Sequence, residues 1–453
     1  MKRFLIVLFL LLSLSALTVS AQQKNITPET ALRAYLNNGD ASFTWKVKDQ
    51  LKGDGLTFYQ IQFVSQTWQT IKWSHELMIM VPDELKYKTA LLFITGGSNK
   101  NGAPNTHKFT DDLPAELGRI AKTNHTITSI LWQVPNQPLY DDLTEDALIS
   151  KTLHNYLADH DFSWPLLFPM TKSAIRGMDI VQEFARKEIR KKVTGFVISG
   201  ASKRGWTTWL TGANDKRVVA IGPMVIDVLN MPVNVDYQRV AWGDYSIEIE
   251  DYVKLGIAQQ LGTPGGNDLT KMIDPYSYRK NLTMPKMIFM GTNDPYWPVD
   301  AVKNYIDSIP GNNHICYTPN AGHDLGDKQK AFSTLSAFLG NTAAKNPYPI
   351  CEYSIRQNGN KAIITVKTTP EKLIDAFVWT STSTDQDFRD EKWNSVTLNA
   401  AKKPEITVEV DLPQSGFKAF YVDLKYQSTF GKDFTQSTRM FVLNNQKILL
   451  KEK

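Results

Sequence analysis

The sequence predicts a mainly parallel α/β domain followed by an all-β domain, and three observations lead there. Between residue 56 and about 340, short apolar runs rich in β-branched residues alternate with helix-period segments, as parallel strands covered on both faces do. Beyond Asn346 the helical segments stop, and short alternating strands separated by turns take over. The composition is 42% hydrophobic and 11% aromatic, with two Cys in 453 residues, which excludes a disordered chain, a fibre and a disulfide scaffold. A formal net charge of +5 is small for this length and gives no reason to expect a nucleic-acid partner.

The N-terminus comes first. Met1-Lys2-Arg3 is a short basic start, residues 4–14 are an unbroken apolar run, and Val19-Ser20-Ala21 supplies the small residues of a signal-peptidase site. The run is too short to span a bilayer, which takes about 20 residues. The expectation is a signal peptide over 1–21, cleaved after Ala21, and a periplasmic or secreted mature chain with no later transmembrane segment. The other reading is an uncleaved anchor, against which Gln22-Gln23-Lys24-Asn25 turns abruptly polar.

Residues 56–64 and 71–81 read as an antiparallel pair. Residues 90–95, 126–134, 193–199, 218–226, 287–291 and 314–319 read as buried parallel strands. The clearest helix covers 171–192, with Thr171 as N-cap and basic residues crowding its end. Residues 135–170 and 243–274 are too long for plain connections and are expected to cap the sheet, the second ending in a Gly-rich turn at Gly262-Thr263-Pro264-Gly265-Gly266. The α/β domain is thereby placed at 22–345. Pro347-Tyr348-Pro349 reads as a hinge into a domain at 346–453, a sandwich of immunoglobulin or fibronectin type. Cys316 and Cys351 either pair, closing a loop of about 35 residues that contributes roughly 3 kcal/mol, or remain two buried thiols. Their spacing makes no metal site.

The sharpest chemical signal is Gly200-Ala201-Ser202-Lys203-Arg204-Gly205, which follows one expected strand and precedes a helical stretch. That setting is a nucleophile elbow, where small residues flank a serine because the turn is tight. The competing role is a plain helix N-cap. A serine needs a base, and the base an orienting acid, in the chain order Ser, Asp or Glu, His. His323 follows the strand at 314–319 in a Gly-containing turn, whereas His314 begins that strand as a structural residue. Asp294 follows the strand at 287–291, with Asp227 as its competitor for the same imidazole. Backbone amides of Lys203 and of Gly97 or Ser98, in the Gly-rich turn after residue 95, are the expected oxyanion donors. Arg204 is a candidate for holding an acidic substrate group, or for pairing with a carboxylate beneath the elbow. Trp164 is a candidate pocket wall for sugar rings or aromatic acyl groups.

Ile94-Thr95-Gly96-Gly97-Ser98, Gln133-Val134-Pro135-Asn136-Gln137-Pro138, Trp164-Pro165, Pro169-Met170-Thr171-Lys172 and the elbow with its Trp206-Thr207-Thr208-Trp209 extension resemble the PhoPQ-activated pathogenicity-related proteins. The resemblance runs from about residue 30 to the C-terminus. It implies an α/β-hydrolase fold and a triad carried onto Ser202, Asp294 and His323, and it implies no particular substrate. The elbow is also similar to the Gly-Cys-Ser-Arg-x-Gly pattern of glucuronoyl esterases, with Ala201 in place of Cys and Lys203 in place of Arg. The expectation is an exported serine hydrolase, an esterase in preference to an amidase, acting on a small-molecule or saccharide ester without metal or organic cofactor. The alternative is a secreted binding or signalling protein that keeps the hydrolase scaffold.

Overall fold

The computed structural model describes residues 26–450. The expected signal peptide and its cleavage point lie outside the described residues. After helix α1 (Pro28–Leu36), strands β1 (Thr44–Gly53), β2 (Leu56–Trp68) and β3 (Ile71–Pro82) form an antiparallel meander. β2 and β3 are the expected pair. β1 escapes sequence reasoning because almost every side chain on this edge strand is exposed, so it has no apolar alternation to read.

β4 (Thr89–Ile94), β5 (Thr128–Leu131), β6 (Gly195–Ala201), β7 (Val218–Met224), β8 (Lys286–Gly291) and β9 (Asn313–Thr318) continue the sheet in the order β1-β2-β3-β5-β4-β6-β7-β8-β9. From β5 to β9 every pairing is parallel. Consecutive residues serve opposite faces: Leu91, Val197 and Met287 pack into one apolar cluster, Leu92, Ile198 and Ile288 into the other. On the first face lie α2 (Asp112–Asn124) and, at the far end of this half, a helix over Gln329–Ala344.

Between β5 and β6, the expected cap insertion folds as α3 (Glu145–Asp159) and runs into α4 (Leu167–Lys187). α4 starts and stops earlier than the sequence suggests. Pro169 sits in its first turn, where a missing N–H costs nothing, and Thr171 lies inside the helix, donating to Leu167 O at 2.8 Å instead of capping. α5 (Lys203–Asn214) follows β6, and α6 (Met231–Trp242) follows β7. The second insertion folds as α7 (Glu250–Lys254), α8 (Ile257–Gln260) and α9 (Pro264–Ile273). Its Gly-rich stretch is thus the first turn of α9 as well as a turn, with the Thr263 hydroxyl accepting from Gly266 N. The Gln329–Ala344 helix is α10.

The remaining strands are antiparallel. β10 (Glu352–Asn358), β11 (Lys361–Lys367) and β14 (Glu405–Asp411) form one small sheet. β12 (Leu373–Ser383), β13 (Asn394–Thr397), β15 (Phe417–Tyr426), β16 (Phe434–Ser437) and β17 (Phe441–Asn444) form a second. Ile364 and Val408 from one and Val422 and Phe441 from the other meet in a shared cluster. The second sheet is not separate: β16 pairs with β9 at Ile315 and Ser437, so 14 strands run through both halves of the chain. The expected hinge is correspondingly packed. Tyr348 lies against His314, Phe338 and Phe434 at ring distances of 4.8, 5.6 and 5.3 Å. Cys316 and Cys351 are both free thiols, Cys316 fully buried with Sγ against Thr334 Oγ1. Among the described residues no helix is long and apolar enough to cross a membrane.

Truncation after Lys345 removes β16 and leaves β9 an unpaired edge. Its thermal midpoint should fall by at least about 5 °C, with light scattering on heating. An unchanged midpoint would show that the seam adds no stability.

Candidate active site

β4, β6 and β7 end level with one another, with Ile94 opposite Gly200 and Ala201 opposite Met224. Ser202 therefore stands at the carboxyl edge of the sheet, where groups that act on ligands collect. Its backbone is at φ 58° and ψ −125°, a costly conformation for a residue with a side chain. Ser202 N donates to Met224 O at 2.9 Å, and its carbonyl accepts from Trp206 N at 3.0 Å. The glycines have a steric reason. A Cβ on Gly200 would lie 2.7 Å from Ile94 O, and one on Gly205 would lie 2.5 Å from Ile226 Cγ2. Glycine falls at 205 because α5 crosses β7 there.

Arg204, buried beneath the elbow, donates three hydrogen bonds, one from each guanidinium nitrogen. Nη1 and Nη2 donate to Glu145 at 2.8 and 2.6 Å, and Nε donates to Val134 O. A Cβ on Gly96 would come within 2.6 Å of Nη2, so that glycine lets the loop after β4 close over the guanidinium. Gln137 Nε2 reaches both Glu145, at 2.7 Å, and Gly97 O, at 3.2 Å. Burial works to raise the Glu145 carboxyl, but the hydrogen bonds and charge of Arg204 prevail and hold it below its ordinary value. The expectation that Arg204 holds substrate is corrected here. It pairs with a carboxylate beneath the elbow and does not line the cavity beside Ser202.

Lys203 does line that cavity, but its charge is matched. Nζ lies 2.5 Å from Asp146 and 5.2 Å from the centre of the Tyr296 ring. Asp146 also accepts from Tyr252 at 2.9 Å and Tyr296 at 3.3 Å. Two consecutive acids at the start of α3 thus take the two consecutive cations after the serine. The Lys203 amide, first in α5, has no carbonyl above it in the helix.

His323 Nδ1 lies 2.9 and 3.1 Å from the two carboxylate oxygens of Asp294. Asp294 is itself held by Tyr296 N at 2.9 Å, and the Tyr296 ring packs on the imidazole at 4.2 Å. Among the described residues, His323 Nε2 has no hydrogen-bond partner, and His323 and Ser202 border the same cavity. Asp227, the competing acid, accepts instead from Tyr305 and is fully buried. Burial pushes its carboxyl up to about 7, against the Tyr305 hydrogen bond and aided by the charges of Asp294 and Asp300.

Gly97 and Ser98 follow β4 as expected, Gly97 at φ 134°, but neither borders the cavity. Trp164 does not reach it either. Its ring packs with Trp68 and Tyr140, and Nε1 donates to Asp159 at 2.8 Å. His314 is the structural residue expected, bonded to Gln436, and Asp324 turns the chain by accepting from Gly326 N. Glu145, Asp146, Gln137 and Tyr296 are site residues that sequence reasoning misses. Their partners lie far away in the chain, and the adjacent acids at 145 and 146 look like an ordinary helix start.

A mainly parallel sheet carrying a serine in a strained strand-to-helix elbow is the architecture of the α/β-hydrolase class. The chain belongs to the PhoPQ-activated pathogenicity-related protein family, whose model matches residues 32–389. Autocrine proliferation repressor protein A of Dictyostelium discoideum is 29% identical over 431 residues, spanning 88% of this chain and 86% of that protein. Among solved structures, an acetyl xylan esterase from Paenibacillus sp. R4 is similar over 65% of this chain and 87% of its own, at 13% identity and a TM-score of 0.47. A glucuronoyl esterase from Solibacter usitatus is similar over 70% and 91%, at 11% identity and a TM-score of 0.41.

Two outcomes follow from this geometry. Arg204→Lys keeps the charge but cannot fork onto Glu145 while bonding Val134 O. It should cost about 2–3 kcal/mol in denaturant unfolding, less than a fully buried pair, because the Glu145 side chain is 37% exposed. Between pH 4 and 7 the folded state holds a proton on Asp227 that the unfolded chain releases, so this contribution is full at low pH and lost as pH rises through about 7. Asp227→Asn should therefore raise stability by about 1–2 kcal/mol at pH 8 and leave it unchanged at pH 4. Equal effects at both pH values would contradict the assignment.

Proposed function

We propose that this protein is an exported serine hydrolase, an esterase in preference to an amidase, with Ser202 as nucleophile, His323 as base and Asp294 as orienting acid. The observation that carries the reading is the Asp294–His323 contact at 2.9 Å, with Nε2 unpartnered among the described residues and His323 bordering a cavity that Ser202 also borders. Asp294 fixes the tautomer with the proton on Nδ1, so Nε2 can take the Ser202 proton as Oγ attacks the carbonyl carbon. The Lys203 amide receives the developing oxyanion, joined by one from Gly97 or Ser98 in the loop after β4, outside the lining of the apolar cavity. The imidazolium then protonates the leaving oxygen, and water, activated by the same nitrogen, releases the acyl group and restores Ser202. The mechanism asks only for side chains and backbone amides. The substrate is a small-molecule or saccharide ester.

Within this reading residues 1–21 are a removed signal peptide, 22–345 form the hydrolase domain, and 346–453 form a sandwich of immunoglobulin or fibronectin type. The basic start, apolar run and small residues before Gln22 support export to the periplasm or beyond. The name of the Dictyostelium relative, an autocrine proliferation repressor, favours a second reading, a secreted signalling protein on a hydrolase scaffold.

An activity probe separates the two. A fluorophosphonate should label the wild type and not Ser202→Ala, and ester hydrolysis in that variant should fall by at least about 10⁴-fold. A folded wild type that resists every fluorophosphonate would support the signalling reading instead.

A further inference from the structure

The cavity beside Ser202 has a volume of about 70 Å³ and is bordered by Ser202, Lys203 and His323. Its other walls include Trp206 on α5, Ile226 after β7, Leu153 on α3, and Ile257, Ala258 and Leu261 of the second insertion. These side chains are nearly all carbon. The charged side chains in the wall apart from His323 are Lys203 and Asp146, and they neutralise each other at 2.5 Å. Apart from the reacting groups Ser202 and His323, Trp297 Nε1 is the one unpartnered buried polar atom among the lining residues, so a carboxylate or a polyhydroxylated ring placed there would lose most of its hydration uncompensated, whereas an alkyl group gains by leaving water.

We infer that the site takes a neutral ester whose short aliphatic arm, several carbons long, fills this cavity. The inference rests on the hydrolase reading and sets its substrate class. The volume is several times the roughly 10–15 Å³ that one water needs, which leaves room for a short alkyl chain and not for a methyl group alone. The arm belongs either to the acyl group or to the alcohol, because Ser202 and His323 both border the cavity. The pairing of Lys203 and Arg204 with Asp146 and Glu145 turns the inference away from sugar acids, which two cations beside a serine would otherwise suggest.

Two ester series test it on the full-length protein. p-Nitrophenyl esters vary the acyl chain, and alkyl acetates vary the alcohol. In one series kcat/KM should rise roughly three- to fivefold per methylene from two carbons to about six, then fall beyond eight. Ala258→Phe should move the optimum to shorter chains, and Leu261→Ala, at a half-exposed position, to longer ones. Both series flat or falling from two carbons, unchanged profiles in both variants, or a methyl uronate outperforming every aliphatic ester would overturn it. If fluorophosphonate still labels Ser202 in that event, the cavity assignment falls and the hydrolase reading stands. If nothing labels Ser202, the hydrolase reading falls, and titration with hexanamide decides the cavity alone. Binding that Ala258→Phe abolishes supports the assignment, and absence of binding overturns it.

Discussion

The forked ion pair between Arg204 and Glu145 is the contact on which the rest of the site depends. The elbow puts Ser202 in a backbone conformation that a side-chain-bearing residue adopts only when its surroundings enforce it. Arg204, two residues on, reaches back beneath the turn and ties three segments that are distant in sequence: the carbonyl of Val134, the start of α3 through Glu145, and the loop after β4 that closes over its guanidinium at Gly96. Gln137 extends the same network to Gly97. Three of the segments that mark the family in sequence, the loop after β4, residues 133–138 and the elbow, are thus joined by one set of contacts. A lysine cannot supply the fork, which is why an arginine occupies a position where an elbow more often has glycine.

The same arrangement sets the electrostatics of the cavity. Two cations next to a serine look like an anion-binding device, but each is matched by one of two adjacent acids on the cap helix, and the remaining wall is apolar. In such surroundings backbone donors aimed at a developing oxyanion act with little competition from water. The two candidate acids are separated by environment as well. Asp294 is held by a backbone amide and faces the imidazole, whereas Asp227 is sealed in the core with Tyr305 and pushed toward its neutral form. A carboxyl group that tends to stay protonated near neutral pH is poorly suited to stabilise an imidazolium.

The central sheet was legible because its strands are buried on both faces and read as apolar runs, and the elbow because its glycines and strand-to-helix setting follow from steric need. β1 was not legible, since an exposed edge strand carries no pattern, and neither was β16, a four-residue segment, Phe434–Ser437. A hinge at Pro347 to Pro349 was the natural reading of a proline-flanked change of texture. Packing of Tyr348 and the β9–β16 seam override that local signal. The expectation that Ser202, His323 and Asp294 act together comes from chain order at the strand ends, and the Asp294–His323 contact agrees with it. The clamp could not, because nothing local says that Glu145 faces a guanidinium 59 residues away.

The direct measurement is a double-mutant cycle on the rate at which a fluorophosphonate inactivates the protein, using Arg204→Met, Glu145→Gln and the double variant, each checked for folding. If the clamp holds the elbow in its reactive form, either single change should slow inactivation by about as much as both together, giving a coupling of at least about 1 kcal/mol. Effects that simply add, or single variants that react at the wild-type rate, would contradict the account.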